Sequence, residues 1–265
     1  MRVLIAAKYS PLGARSMGGV QDWSITVGKQ LERMGHTVKF WEPGKPEPGF
    51  FDWGIFANKN HTAHLLANCD KTLLVSHGII DEEEPCDADV VAAVSEEVKE
   101  KWGIDGPVIR QPIDVDFWSP SDEPRSGVMR FSYRGGLREA KRAALRLKMP
   151  YAHNRRLSQP EALDLIRRSR CVLATGRSAL QAMACNIPVV ICDHRAAYME
   201  PMMASDLSSQ MRVNYSGRTG FSVDPIHLAS MIREEMDSGG QRGHVVKHHH
   251  HEIITREIVE CLKSV

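Results

Sequence analysis

Thr175, Gly176, Arg177 and Ser178 stand between a short apolar run, Cys171 to Ala174, and a stretch of strong helix formers, Ala179 to Cys185. A strand that breaks at a glycine and passes straight into a helix leaves the first backbone N–H groups of that helix without intrahelical partners. The aligned peptide dipoles add a partial positive charge at the same point. Arg177 contributes a guanidinium there and Ser178 a hydroxyl, and the chemistry such a cluster performs best is to hold a phosphate. Gln181, one turn further on, carries an amide that can both donate to and accept from a hydroxylated group. The same residues also fit a plain turn and helix cap with Arg177 solvated, so both readings stand at this point.

The elements that would position this cluster are legible around it. Ser178 is the expected N-cap, Leu180, Met183 and Ala184 form the apolar face of the helix, and Asn186 ends it. Pro188 then leads into the β-branched run Val189, Val190, Ile191. Strand, helix and strand in succession predict a parallel βαβ crossover, with the N-terminus of the helix at the carboxyl end of the first strand. A similar turn lies upstream, where Gly135 and Gly136 separate the strand Val128 to Tyr133 from a basic helix, Arg138 to Lys148, with Arg134, Arg138 and Lys141 around it. Near the amino terminus Gly18 and Gly19 precede a helical pattern, Val20 to Met34, that follows the strand Arg2 to Ala7. His77 follows the strand Lys71 to Ser76, the usual place for a functional side chain in an open α/β sheet. His61 and His64 have no third ligand at metal-site spacing and read as surface histidines, and His248 to His251 carries no assigned role.

Strands and helices alternate through most of the chain, which predicts two doubly wound α/β domains: residues 1–112, then a Pro-, Asp- and Ser-rich linker over 113–127, then 128–250, with a terminal helix over 251–265. The segment Val213 to Val223 reads as a glycine-containing strand region. A length of 265 residues with 42% hydrophobic and 25% charged residues suits two soluble globular domains. No apolar run approaches the roughly 20 residues that span a bilayer, and the apolar segment at the amino terminus is short for a secretory signal, so a cytoplasmic protein without stable membrane insertion is expected. The 6 cysteines show no paired CxxC spacing, which argues against a structural metal site and a disulfide framework.

The net charge of +1 hides an asymmetry. Residues 1–118 carry 12 Lys and Arg against 18 Asp and Glu, a net −6, and the remainder carries 22 against 15, a net +7. A basic second half fits a polyanionic ligand, a nucleic-acid face or solvated helices. Arg155, Arg156, Arg195, Arg212 and Arg218 are the candidates for nucleic-acid contacts.

Several segments, in the right order and spacing, resemble the GT-B glycosyltransferases of the family 4 type. They are Gly18-Gly19 before a helix ending in GHTVKFW, then DWGIFANKNH, LLVSHG, DADVVAAVSEEVKEKWGI, VIRQPIDVDFWSP and ALQAMACNIPVV. The likeness spans nearly the whole chain and is that of a compact, divergent member. It implies two Rossmann-like doubly wound domains facing a cleft, and an enzyme that moves a sugar from a nucleotide sugar to a hydroxyl acceptor. UDP is the expected nucleotide, the nucleotide sugar is a co-substrate, and retention without a metal or other cofactor is implied. The resemblance assigns Arg134 and Lys141, with Arg138 as rival, and Gly176, Arg177 and Ser178 to the diphosphate. It assigns Gln181 to the ribose, Gly18 and Gly19 to the donor and His77 to catalysis. Asp114-Val115-Asp116 has the spacing of a metal-binding pair but falls in the linker.

The chain departs from the family at three points. Gln181 stands where the second of two glutamates is expected, Leu173 to Arg177 supply no first one, and Asn186 replaces a glycine. These departures keep two alternatives open: a sugar-nucleotide epimerase of related architecture, and a non-catalytic module binding nucleotide sugar or nucleic acid. Among acceptors, DNA bearing hydroxymethylated bases stands beside glycans and small hydroxylated metabolites.

Overall fold

The computed structural model describes residues 1–9, 18–45, 49–57, 59–131, 138–153, 157–193, 202–204, 207–218, 221–222 and 224–265. The chain divides into two compact units, Met1–Pro112 with His249–Val265, and Ile113–His248. Each unit is an α/β domain built on its own sheet. Among the described residues no helix is long and apolar enough to cross a membrane.

The first unit runs β1 (Arg2–Ala6), α1 (Gly19–Arg33), β2 (Thr37–Phe40), β3 (Phe51–Phe56), α2 (Lys59–Thr62), β4 (Cys69–Ser76), β5 (Val90–Ala93) and α3 (Glu96–Trp102). Its strands are all parallel, in the order β2-β1-β3-β4-β5. The central strands are apolar on both faces because both are covered, as parallel sheets require. Trp23, Val27 and Leu31, spaced one helical turn apart on α1, pack on one face together with Ile254, Ile258, Val259 and Leu262 of α10 (His251–Lys263). Gly28 is required where α1 crosses β2, since a Cβ there would lie 2.4 Å from Cζ of Phe40. α3 starts at Ser95, whose Oγ accepts from Val98 N–H at 3.4 Å, and ends at Gly103 with φ 61°. A helix is expected over 62–68. The chain there instead makes a 3₁₀ stretch, Ala63–Asn68, behind the short α2. Val108, expected in a strand, forms only an isolated bridge to Ala93.

The second unit runs β6 (Val128–Phe131), α4 (Arg138–Arg146), β7 (Tyr151–His153), α5 (Gln159–Arg167), β8 (Cys171–Ala174), α6 (Arg177–Ala184), β9 (Val189–Asp193), β10 (Met202–Ala204), α7 (Leu207–Arg212), β11 (Phe221–Ser222), α8 (Pro225–Ser238) and α9 (Arg242–His249). The strand order is β11-β10-β9-β8-β6-β7, parallel from β7 to β9 and antiparallel at β10 and β11. One face packs Ile166 of α5 and Leu180 and Met183 of α6 over Val172 and Ile191. The opposite face packs Ala140, Ala143 and Ala144 of α4 and Leu228 and Ile232 of α8 over Val128, Leu173 and Val190. Ile113, Val115 and Trp118 are buried in the first of these cores. Between them Asp114 Oδ1 accepts from the backbone N–H of Asp116 at 3.2 Å and of Phe117 at 3.0 Å, which fixes a turn. The strand region expected over 213–223 is mostly a turn that follows α7, and only Phe221–Ser222 is strand. α9 has little intrinsic helix signal, because its sequence RGHVVKHH combines glycine with β-branched residues.

Candidate nucleotide site of the second domain

In an open parallel sheet the place where successive connections leave in opposite directions is a crevice at the carboxyl ends of two neighbouring strands, and ligands bind there. In the second sheet β6 passes through α4 to β7 on one side, and β8 passes through α6 to β9 on the other, while β6 and β8 are paired neighbours. The crevice therefore lies above Phe131 and Ala174. α4 starts from this edge on one face and α6 on the other, because their apolar residues belong to the two opposite cores. Two helix N-termini thus bracket a single crevice.

Gly176 is the N-cap of α6, with φ 57° and ψ −134°, a backbone state open to glycine alone. The helix is capped at Gly176, two residues before the cap expected at Ser178. The reason lies in the partner of the turn. Gly176 N–H donates to the carbonyl of Tyr215 at 2.7 Å, and Thr175 Oγ1 donates to the carbonyls of Tyr215 at 3.1 Å and Ser216 at 3.3 Å. Thr175 and Gly176 are thereby fastened to a turn 40 residues downstream, and α6 starts as soon as that anchor releases the chain. Asn214 and Tyr215 both have φ 54°, which aims the Tyr215 carbonyl back at Gly176. The fully buried Gln210 holds the turn from below: its carbonyl accepts from Tyr215 N–H at 2.5 Å and its Oε1 from Gly217 N–H at 2.9 Å. Tyr215 OH meets His244 Nε2 of α9 at 2.5 Å.

The residues singled out in the sequence fall into three groups. Gly176, Arg177, Ser178 and Gln181 come together on the first turn and a half of α6. Arg177 and Gln181 are buried, at 8% and 5% exposure, so Arg177 is not the solvated side chain of the plain-turn reading. Arg138 and Lys141 lie on the first turn of α4 and are exposed. Arg134, Arg155, Arg156 and Arg195 lie outside the described residues. Arg212 is exposed at the end of α7, and Arg218 is half-buried just past the Tyr215 turn, its N–H donating to Ser216 Oγ at 3.3 Å. Asn186 has φ 57° at the end of α6. Asn186 N–H donates to the Met183 carbonyl at 2.9 Å and Ile187 N–H to that of Ala182 at 3.2 Å. Asparagine thus fills the left-handed position in which glycine is usual, and the helix closes in the same way. Sequence reasoning missed Asn214, Tyr215, Gln210 and His244; the only local signal was asparagine, which tolerates positive φ.

In the first domain Gly18 is the N-cap of α1 in extended conformation, and a Cβ on it would meet Gln21 Oε1 at 2.5 Å. His77 follows the carboxyl end of β4. Its backbone N–H donates to Glu83 Oε2 at 3.2 Å, and its ring meets the buried Trp23 edge-on, with centroids 5.1 Å apart. Trp102 Nε1 donates to the carbonyl of the next residue, Gly78, at 2.8 Å. The segment after β4 is therefore held from α1, α3 and the 3₁₀ turn Asp81–Glu83 at once.

No family model matches this chain, and no curated protein matches it. Solved structures do. Sucrose-phosphate synthase from Thermosynechococcus elongatus superposes with a TM-score of 0.70 at 11% identity, covering 100% of this chain and 99% of that one. T4 phage BGT in complex with its UDP-glucose substrate covers 100% of this chain and 98% of its own at a TM-score of 0.48 and 10% identity. The likeness to the synthase is one of fold: the chain has two Rossmann-like α/β domains of the GT-B type.

Proposed function

We propose that this protein is a glycosyltransferase that moves a sugar from a UDP-sugar to a hydroxyl acceptor. The observation that carries the reading is the crevice between β6 and β8, where the glycine-only turn at Gly176 and the buried Arg177 open α6 opposite the N-terminus of α4. The diphosphate sits against the N-terminal N–H groups of α6, with Arg177, Ser178, Arg134 and Lys141 as the cationic and hydroxyl partners and Arg138 beside them. Gln181 hydrogen-bonds the ribose. His77 orients the acceptor hydroxyl or takes its proton, and Gly18 and Gly19 bring backbone close to the donor sugar.

The chemical step breaks the bond between the anomeric carbon and the diphosphate oxygen, so negative charge grows on that oxygen in the transition state. Fixed dipoles and guanidinium groups stabilise it there without reorganisation, which is the role a divalent cation plays in other enzymes. Metal independence is assigned by family resemblance. Retention of configuration is the outcome we assign, by family resemblance. The acceptor reading that the charge distribution favours is DNA with hydroxymethylated bases, since the second half of the chain carries a surplus of basic residues, Arg212 and Arg218 among them. If so, duplex binding falls about tenfold or more over a few-fold rise in salt. Binding that is absent even at low salt returns the acceptor to a sugar or small metabolite.

The experiment is a donor-hydrolysis assay: the protein is incubated with UDP-sugars and EDTA, and released UDP is quantified. Release that Arg177→Ala reduces supports the proposal. No release from any donor, together with no binding of UDP, overturns it.

A further inference from the structure

Arg130, the third residue of β6, has 0% exposure. Its Nη1 donates to the carbonyls of Leu173 at 3.1 Å and Cys192 at 3.4 Å. Its Nε and Nη2 are buried with no hydrogen-bond partner, and among the described residues no carboxylate pairs with it. A guanidinium is a cation that no described carboxylate compensates here, and a buried charge without a partner is one of the costliest arrangements in a folded protein. A methionine of similar length would span the same space without that cost. The two carbonyl contacts account for one nitrogen of three.

The location of this charge is informative. Arg130 is the penultimate residue of β6, Leu173 of β8 and Cys192 of β9, so the guanidinium reaches from β6 across β8 towards β9 one residue below the carboxyl edge of the sheet, where the crevice opens. By strand alternation it lies on the face of Val128, where Leu173 and Cys192 pack with α4 and α8, and α4 begins at this same edge. Tyr151 of the adjoining β7 packs against the same core, and its hydroxyl is also buried without a partner. Burial pushes the phenol of Tyr151 up, and the Arg130 charge opposes that rise. The α4 N-terminus and the two guanidinium nitrogens offer donors at this end of the sheet, and the matching acceptor is an anion.

We propose that Arg130 anchors an anion site at the carboxyl end of β6, and that its occupant is the diphosphate of the nucleotide donor. The inference rests on the second domain being the donor domain. It adds a residue that family resemblance does not select, since that resemblance points to Arg134. Arg130 binds through Nε and Nη2 and relays nothing covalently. It is the buried counter-charge that makes a dianionic group preferable to a neutral one at this edge.

The test is a calorimetric titration of UDP, uridine and inorganic pyrophosphate into the wild type, Arg130→Met and Arg130→Lys, with ligand-free melting curves for each. Arg130→Met is expected to weaken UDP and pyrophosphate on the order of 10- to 100-fold, the loss of charge-assisted contacts, and to leave uridine unchanged. Its ligand-free melting temperature stays level or rises, because an unpaired buried charge has gone. Arg130→Lys keeps the charge without the planar fork and falls in between. A variant that melts lower but keeps the wild-type ratio of UDP to uridine affinity overturns the inference and leaves Arg130 as a strut between β8 and β9. If Arg130→Met does not fold, Arg130→Lys decides: a lowered ratio supports the site and an unchanged ratio overturns it. A wild type that binds neither UDP nor pyrophosphate overturns the donor-domain reading itself, which the Arg130 variants alone cannot do.

Discussion

Replacing Gly176 with alanine isolates the geometry on which the candidate site depends. The added methyl has room, since its nearest neighbour would be the carbonyl oxygen of Asn214 at 3.8 Å. Any cost therefore comes from the backbone: φ 57° with ψ −134° is a state that an L side chain adopts only under strain, worth about 1–3 kcal/mol. The chain can meet this in two ways. It can keep the turn and lose that stability, or it can rotate out of it, which breaks the 2.7 Å bond from Gly176 N–H to Tyr215 and swings the first turn of α6 off the crevice. A net hydrogen bond is worth about 1 kcal/mol, so the routes cost similar amounts and both will be sampled. Gly176→Ala should thus lower unfolding free energy by about 1–3 kcal/mol in a urea titration, and UDP affinity should fall in calorimetry. Asparagine, tolerated in the left-handed helical region, gains nothing at ψ −134° and should behave like alanine. Stability within about 0.5 kcal/mol of the wild type together with unchanged UDP affinity would refute the reasoning, because neither strain nor displacement could then exist.

Three further outcomes are expected. Asn186→Gly should be neutral within about 0.5 kcal/mol, and Asn186→Ala should cost about 1 kcal/mol in urea unfolding, because φ 57° there closes α6. Burial pushes the Glu235 carboxyl above its ordinary value of 4.5, so the folded state holds that proton more tightly than the unfolded chain does. Its contribution is present below 4.5 and is lost as pH rises through the raised folded value, so Glu235→Gln should flatten the decline of melting temperature just above pH 4.5 and raise it at neutral pH. Cys171 and Cys185 are buried thiols pushed up to about 12, so iodoacetamide at neutral pH should label them only after unfolding. Labelling of either in the native state, read by mass spectrometry, contradicts the described packing.

What the sequence revealed and what it hid divide along a physical line. Apolar runs such as Cys171 to Ala174 and Val189 to Ile191 could only be strands, because a doubly covered parallel sheet demands residues apolar on both faces. Gly176 was legible because its backbone state has a residue-type requirement. The anchor of that turn was not, since it is made by the backbone carbonyls of Tyr215 and Ser216, and every residue type carries a carbonyl. Ser178 looked like the cap for the same reason: local rules favour serine, and a long-range bond moved the start of the helix to Arg177. Arg130 was hidden most completely. Nothing in the strand Val128 to Tyr133 singles it out, and only the packing of α4 and α8 over that face places it inside.

The central claim is that the crevice between β6 and β8 holds a nucleoside diphosphate, and hydrogen–deuterium exchange with and without saturating UDP tests it most directly. The account predicts slowed exchange in peptides covering Gly176 to Gln181 and the start of α4, where free N–H groups of two helix N-termini would gain an acceptor. UDP that binds with protection confined to Met1–Pro112, or with exchange at Gly176 to Gln181 unchanged, would contradict it.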